Sequence, residues 1–227
     1  MERTKDRDAA RLAMGEGWPV LGTTIVVGTT FGVVARQAGL EPLEIAAMSL
    51  LVFAGAAEFV MVRLFTEGAA APLVIATVLF FNLRHLLMAT SLRPHFMRFT
   101  LTRRLAAAFF VTDESFAMAT RHFRRGGTSL AYYVTFAVAL FVLWNLSTLA
   151  GIALGNTIGE PRRFGIDFAI TATFIGIVVL AVRRPADVAV AVVAGAIAGA
   201  LALAGASTIA VITAGALAPA LALLARK

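Results

Sequence analysis

Residues 105–120, LAAAFFVTDESFAMAT, place two adjacent carboxylates, Asp113 and Glu114, in the middle of an otherwise apolar and small-residue stretch. Sixteen residues with that interruption are too short and too polar for a lipid-facing crossing, since about 20 apolar residues are needed to span roughly 30 Å of hydrocarbon. The same letters read well as a helix start. Thr112 or Asp113, followed by Glu114 and Ser115, puts oxygen acceptors and negative charge where free N–H groups and the positive dipole end lie. A broken or re-entrant helix near 104–120, with a half-helix beginning near 113, is therefore expected.

The surrounding chain belongs in a membrane. Of its 227 residues 59% are hydrophobic and 15% charged, and the mean hydropathy is +0.86. Windows of 18 or more residues with little charge point to helical spans, and no ten-residue alternation of a barrel is present. The expected fold is an all-α polytopic bundle of seven or eight hydrophobic helices. Apolar segments fall at about 18–37, 43–65, 70–92, 104–120, 129–154, 165–182, 186–203 and 205–224. Residues 1–16 form a charged N-terminal arm, and 17–227 a single transmembrane transport domain joined by short connections. The first apolar run, Trp18–Ala35, is longer than a signal-peptide core and is followed by further spans, so a retained multi-pass protein of the cell (inner) membrane is expected.

The formal charge of +7 lies on arginines between greasy segments, where the positive-inside bias accounts for it without nucleic acid. That bias favours two topologies equally. In one, all eight segments cross with the N-terminus inside. In the other, 104–120 is re-entrant and the N-terminus lies outside. No cysteine is present, so disulfides, thiolate metal sites and cysteine nucleophiles are excluded. No Walker loop, GxSxG, HExxH or metal-ligand spacing appears, so no cofactor or metal is expected and ATP does not drive the chain directly. Gly151 and Gly155, like Gly195 and Gly199, stand at the four-residue spacing that lets helices approach closely.

A charge at the centre of a membrane helix costs on the order of 2.5–3.5 kcal/mol, so each one needs a cavity, a bundle interior or a partner. Glu58 lies in LLVFAGAAEFVMV on one face with Gly55, Ala54 and Leu51. Asn82, Arg84 and His85 lie in NLRH, where Asn82 and His85 share a face and Arg84 points away from it. Such a segment is either wrapped in protein or broken near Asn82, as discontinuous helices are in transporters. Arg84 needs an anion, and Glu58, Asp113 and Glu114 are the candidates. If fully paired, the set is a structural ion cluster. If partly unpaired, Arg84 and Asn82 bind a substrate carboxylate, while Glu58, His85, Asp113 and Glu114 carry protons. Phe53, Phe59, Phe80 and Phe81 would shape an apolar pocket. His95 and His122 read as solvated, Asn145 as a donor to a neighbouring helix, and Trp18, Trp144, Tyr132 and Tyr133 as interfacial anchors or core.

Three stretches, AGLEPLEIAAMSLLVFAGAAEFV (38–60), NLRHLLMATSLRP (82–94) and FVTDESFAMA (110–119), resemble in order and spacing the AzlC-type large subunit of two-component branched-chain amino acid exporters. With GTTFGVVARQAGL before them they cover roughly residues 22–125. The resemblance implies efflux of valine, leucine, isoleucine or similar hydrophobic amino acids, with a small four-helix AzlD-type membrane subunit as partner; exchange for protons is the coupling expected from the intramembrane carboxylates. Homo-oligomerisation is left open. The chain departs from that family in two places. Glu58 stands where Gln is usual after FAGAA, and the first span has Pro19 at its start with no proline in its middle. Two other classes compete: a scaffold whose polar residues only pack helices, and an intramembrane hydrolase using Glu58 and Asp113 as paired acids.

Overall fold

The structure, a computed structural model, describes residues 2–97, 99–157 and 185–204. The segments expected at 165–182 and 205–224 lie outside the described residues. Eight helices are described: α1 (Glu2–Gln37), α2 (Pro42–Leu51), α3 (Gly55–Thr66), α4 (Ala71–Phe96), α5 (Leu101–Phe109), α6 (Asp113–Arg124), α7 (Leu130–Thr157) and α8 (Pro185–Leu203). No strand occurs among the described residues, and this is an all-α membrane protein. The chain forms two compact units, Met1–Asp167 and Phe168–Lys227. In the second unit α8 is an apolar, Ala- and Gly-rich helix with Asp187 in its first turn.

Among the described residues, three helices are long and apolar enough to cross a bilayer: α1 over Asp6–Gln37, α4 and α7. The first and last of these run side by side in the same direction, held by glycine. Gly28 meets Trp144 and Ser147, Gly32 meets Thr148, Gly151 and Ile152, and Gly155 meets Val33 and Arg36. A Cβ on Gly32 would run into the Thr148 carbonyl, and one on Gly151 into the Thr29 carbonyl. Small residues in both helices thus let the backbones touch, the usual source of helix association where lipid is as apolar as leucine. The pair Gly151 and Gly155 packs inside the chain, Gly151 against Gly32 and Gly155 against Val33 and Arg36.

This pair defines two ends of the bundle. At the proximal end Glu16 accepts hydrogen bonds from the Tyr132 hydroxyl (2.7 Å) and from Arg125 (3.2 Å). At the distal end Arg36 donates to Asn156 (2.6 Å) and to the Leu40 carbonyl (3.1 Å). The helix α2 starts distally, where Pro42 opens it and Glu44 caps the Glu41 N–H (2.8 Å). It runs inward along α7, with Ser49 bonded to Thr148 (3.3 Å), as far as Phe53, whose ring meets Phe141 at 4.9 Å. The chain then turns back. Gly55 opens α3 against the Trp144 ring, Phe59 packs on Phe31 at 5.5 Å, and Met61 and Phe65 line one apolar pocket with Leu40, Met48 and Val74. Both ends of the α2–α3 pair therefore lie distally.

The long helix α4 crosses from there to the proximal end, where Phe96 packs on Tyr133 (5.2 Å) and Phe123 (6.2 Å). The next pair enters from that end. The Tyr133 hydroxyl holds the Ala107 carbonyl of α5 (2.7 Å), and Phe109 and Phe110 reach Phe141 (5.9 and 5.5 Å). The helix α6 returns to stack His122 on Tyr132 (3.9 Å). Two re-entrant pairs thus come in from opposite ends, α3 between α1 and α4, α6 between α4 and α7. Their tips meet halfway, with Phe53 stacked over Phe109 at 6.4 Å.

Several expectations change. The break expected in 104–120 is present at Phe110–Thr112. The segment expected as one span over 43–65 is also broken, at Val52–Ala54, and re-entrant. Its turn rests on Phe53 at φ +43°, a left-handed conformation unusual for an aromatic residue and held by the packing around it. By contrast α4 is continuous through Asn82, so the break considered there does not exist. Residues 2–16 are helical and run unbroken into the first span through Pro19.

Gly32→Ala should lower the melting temperature of the detergent-purified protein, because the added methyl meets backbone. Gly22→Ala, in the same helix with nothing within 4 Å of the new methyl, should leave it unchanged or raise it by an amount equivalent to about 0.5–1 kcal/mol. Equal behaviour of the two variants would show that α1 and α7 are not in glycine contact.

Candidate functional site

Where the two tips meet, the backbone is irregular at mid-bundle depth, which hydrocarbon tolerates only when protein or a cavity surrounds it. Each tip is finished differently. At the second, Thr112 is extended (φ −126°, ψ 175°) and caps α6: Ser115 N–H donates to the Thr112 hydroxyl (3.2 Å), and Thr112 N–H donates to Ser115 Oγ (2.8 Å). The Ser115 hydroxyl itself donates to the Phe110 carbonyl (2.8 Å), closing the turn on both sides. At the first tip a carboxylate does this work, since Glu58 Oε1 accepts from Ala54 N–H (3.0 Å).

Glu58 is 0% exposed. Its other oxygen, Oε2, has no hydrogen-bond partner, and the Trp144 indole N–H, which reaches the same carboxyl, closes no bond of good geometry either. The indole is immobilised. It stacks on Phe31 (5.9 Å, 21°), abuts Gly28, and carries Gly55 on its six-membered ring. Among the described residues no ion pair reaches Glu58.

Arg84 sits near the middle of α4 and bridges to Asp113 in the first turn of α6, with Nη2 3.0 Å from Oδ2. Both side chains are partly exposed, at 38% and 52%. The Arg84 Nε and Asn82 Oδ1 atoms are buried without partners, so the guanidinium is only partly satisfied by Asp113. His85 is half-buried beside this pair, and Glu114 is exposed next to Asp113. The structure therefore joins Arg84 with Asp113, and leaves Glu58 on the α7 side with Trp144 instead of on the guanidinium.

The aromatic residues divide in the same way. Phe53 is 5% exposed and belongs to the tip cluster, together with Phe109, Phe110 and Phe141, which the sequence reading did not single out. A Phe-Phe pair just ahead of a capped break was a usable signal for the first two. No local signal marks Phe141 in the uniformly apolar α7. Phe59 packs on Phe31 of α1, and Phe80 and Phe81 are half-buried on α4. Trp144 is buried core, whereas Trp18 is 69% exposed. His122 stacks on Tyr132 and is not simply solvated, and Asn145 donates to Phe141 of its own helix (2.8 Å), not to a neighbour. Among the described residues no group of three or more His, Cys, Asp or Glu side chains could hold a metal ion.

A family model described as AzlC protein matches residues 19–158. The inner membrane protein YgaZ of Escherichia coli (strain K12) is 29% identical over 188 residues, covering 80% of this chain and 77% of that protein. An uncharacterized membrane protein of Archaeoglobus fulgidus is 28% identical over 206 residues, 90% of each chain. The branched-chain amino acid transport protein AzlC of Bacillus subtilis (strain 168) is 29% identical over 161 residues, 69% of this chain and 61% of that protein. No solved structure matches the chain.

Ser115→Ala removes a buried acceptor and a buried donor at the second tip at once, and should destabilise the folded protein by roughly 2 kcal/mol in reversible unfolding. Thr112→Ser keeps the cap and should cost much less. Equal losses would mean that the hydroxyls do not hold the tip.

Proposed function

The chain belongs to the AzlC protein family, and on that premise we propose that it is a secondary active transporter subunit exporting branched-chain or similarly apolar amino acids from the cell in exchange for protons. The observation that carries this reading is the Arg84–Asp113 bridge at mid-bundle depth, whose guanidinium keeps an unpaired Nε. A substrate carboxylate is chemically equivalent to Asp113 and competes with it for the planar fork of donors on Arg84. Asn82 lies two residues earlier on the same helix, with its Oδ1 buried and unpartnered, and the first-turn N–H groups of α6 add positive potential beside Arg84. The apolar side chain goes to the tip cluster around Phe53, with Phe81 and Phe59 shaping its approach.

Protons are carried in this reading by Glu58 and Asp113, with His85 and Glu114 linking the pair to water. The transporter works in the cell (inner) membrane with a small AzlD-type membrane subunit, as the family resemblance implies. The competing reading is a packing role, which the closed 3.0 Å bridge favours, because a paired arginine can simply tie α4 to α6.

With both pairs re-entrant, the basic residues divide unevenly between the two ends. At the proximal end lie Arg3, Lys5, Arg7 and Arg11 of α1, Arg93 of α4, Arg103 and Arg104 of α5, and Arg121, Arg124 and Arg125. At the distal end lie Arg36 and Arg63 among the described residues. By the positive-inside rule the proximal end is cytoplasmic. Export then carries substrate from the mouth of α5–α6 to the mouth of α2–α3.

In proteoliposomes, labelled valine or leucine should leave through the wild-type protein supplied with the small subunit. Arg84→Gln should lower that flux by about tenfold or more, the loss expected for about 1.4 kcal/mol of removed binding, while remaining folded in detergent. Undiminished flux in Arg84→Gln removes Arg84 from the mechanism. Absence of flux from folded wild type, with and without the small subunit, leaves the packing role.

The native chain has no cysteine, so single cysteines report orientation directly. A membrane-impermeant maleimide added to intact cells should label Ala70→Cys, and should label Thr100→Cys only after permeabilisation. The reverse pattern overturns the assignment of the proximal end to the cytoplasm.

A further inference from the structure

Glu58 and Trp144 hold two of the buried polar atoms that the fold leaves unpaired, and they hold them next to each other. One is the acceptor Oε2, the other the donor Nε1. They belong to different elements, the α2–α3 tip and α7. The aromatic rings fix one side of this contact. Trp144 is wedged between Gly28 and Phe31 of α1 and Gly55 of α3, so its N–H points in one direction and cannot swing away. The other side is the tip, a three-residue turn, Val52–Ala54, around a left-handed Phe53, whose only side-chain hydrogen bond among those described runs from Ala54 N–H to Glu58 itself.

We infer that Trp144 is the positioning residue for Glu58, its indole N–H being the donor that latches the ionised carboxylate, and with it the α2–α3 tip, onto α7. The inference rests on the proton-exchange reading above and assigns that reading its outer latch. Protonation adds a hydrogen to Oε2, the oxygen not engaged by Ala54. Oε2 then carries a proton and is a much weaker acceptor, the hydrogen bond from Trp144 loses its charge assistance, and the latch on the tip is released. Loss of the proton restores the acceptor and the latch. No bond other than O–H forms or breaks, and the proton goes to or comes from water at the distal mouth.

Among the described residues, the surroundings leave Glu58 as the one ionisable group placed to throw this switch. Along its whole length α7 carries no acidic or basic residue, and α1 carries none between Gly17 and Ala35. Arg36 is engaged by Asn156 and the Leu40 carbonyl, Glu44 of α2 by the Glu41 N–H at the far end of its helix, and Arg63 of α3 by Glu67. On α4, Arg84 is paired with Asp113, and His85 lies beside that pair. Trp144 therefore senses one ionisable side chain at close range.

The chain contains two tryptophans, so Trp18→Phe, at an exposed position, leaves Trp144 as the sole indole reporter in the purified full-length protein. Its emission in detergent should shift with pH, and the shift should vanish when Glu58→Gln is added. Trp144→Phe keeps the ring packing but lacks the N–H; in proteoliposomes it should displace the pH profile of valine flux along the pH axis, where a purely structural tryptophan would scale flux equally at every pH. A pH-independent emission from the folded single-tryptophan protein overturns the inference, as does a shift that survives Glu58→Gln. If the wild type carries no flux yet the emission titrates through Glu58, the transport reading fails and the latch stands.

Discussion

A helix that stops halfway across hydrocarbon leaves carbonyls at one end and N–H groups at the other, and lipid satisfies neither. The fold described by residues 2–157 follows from that constraint. Four short helices end at mid-bundle depth, and they do so in one place, where the α2–α3 and α5–α6 tips cover each other and the middle of α7 covers both. A single re-entrant pair would need some other surface to shield its turn. Two entering from opposite ends shield one another, and the result is a junction in which the chain is irregular without being exposed to lipid.

The same constraint accounts for the carboxylates. Each returning helix starts with an acidic residue in its first turn, Glu58 in α3 and Asp113 in α6, where the dipole and free N–H groups favour negative charge. Their partners differ in kind. Asp113 meets a permanent cation on α4, at a point where both side chains are partly exposed, whereas Glu58 is fully enclosed and accepts from the neutral Ala54 N–H. A group that is always charged can hold a carboxylate ligand, and a group that can be neutralised can carry a proton.

The long helices supply the frame against which such tips would move. Glycines on both α1 and α7 bring backbone to backbone, and polar clasps at each end, Glu16 with Tyr132 and Arg125, Arg36 with Asn156, bind the frame to the entrance of each pair.

The sequence by itself determined the solvent and the class. Hydropathy and length required membrane helices, the carboxylates of TDES marked a helix start at residue 113, and the cost of a buried guanidinium required an anion for Arg84 near at hand. Those conclusions rest on local properties, namely period, capping chemistry and the price of an intramembrane charge. Only the tertiary structure decided which anion Arg84 takes, that the break lies at Phe53 and not at Asn82, and that Glu58 faces Trp144. The physical reason is that an apolar residue such as Phe53 shows no capping or turn signal when its strained backbone is imposed by rings from α5 and α7. Whether an apolar segment crosses or turns back is likewise set by what covers its end, and that cover comes from residues nearly a hundred positions away in the chain.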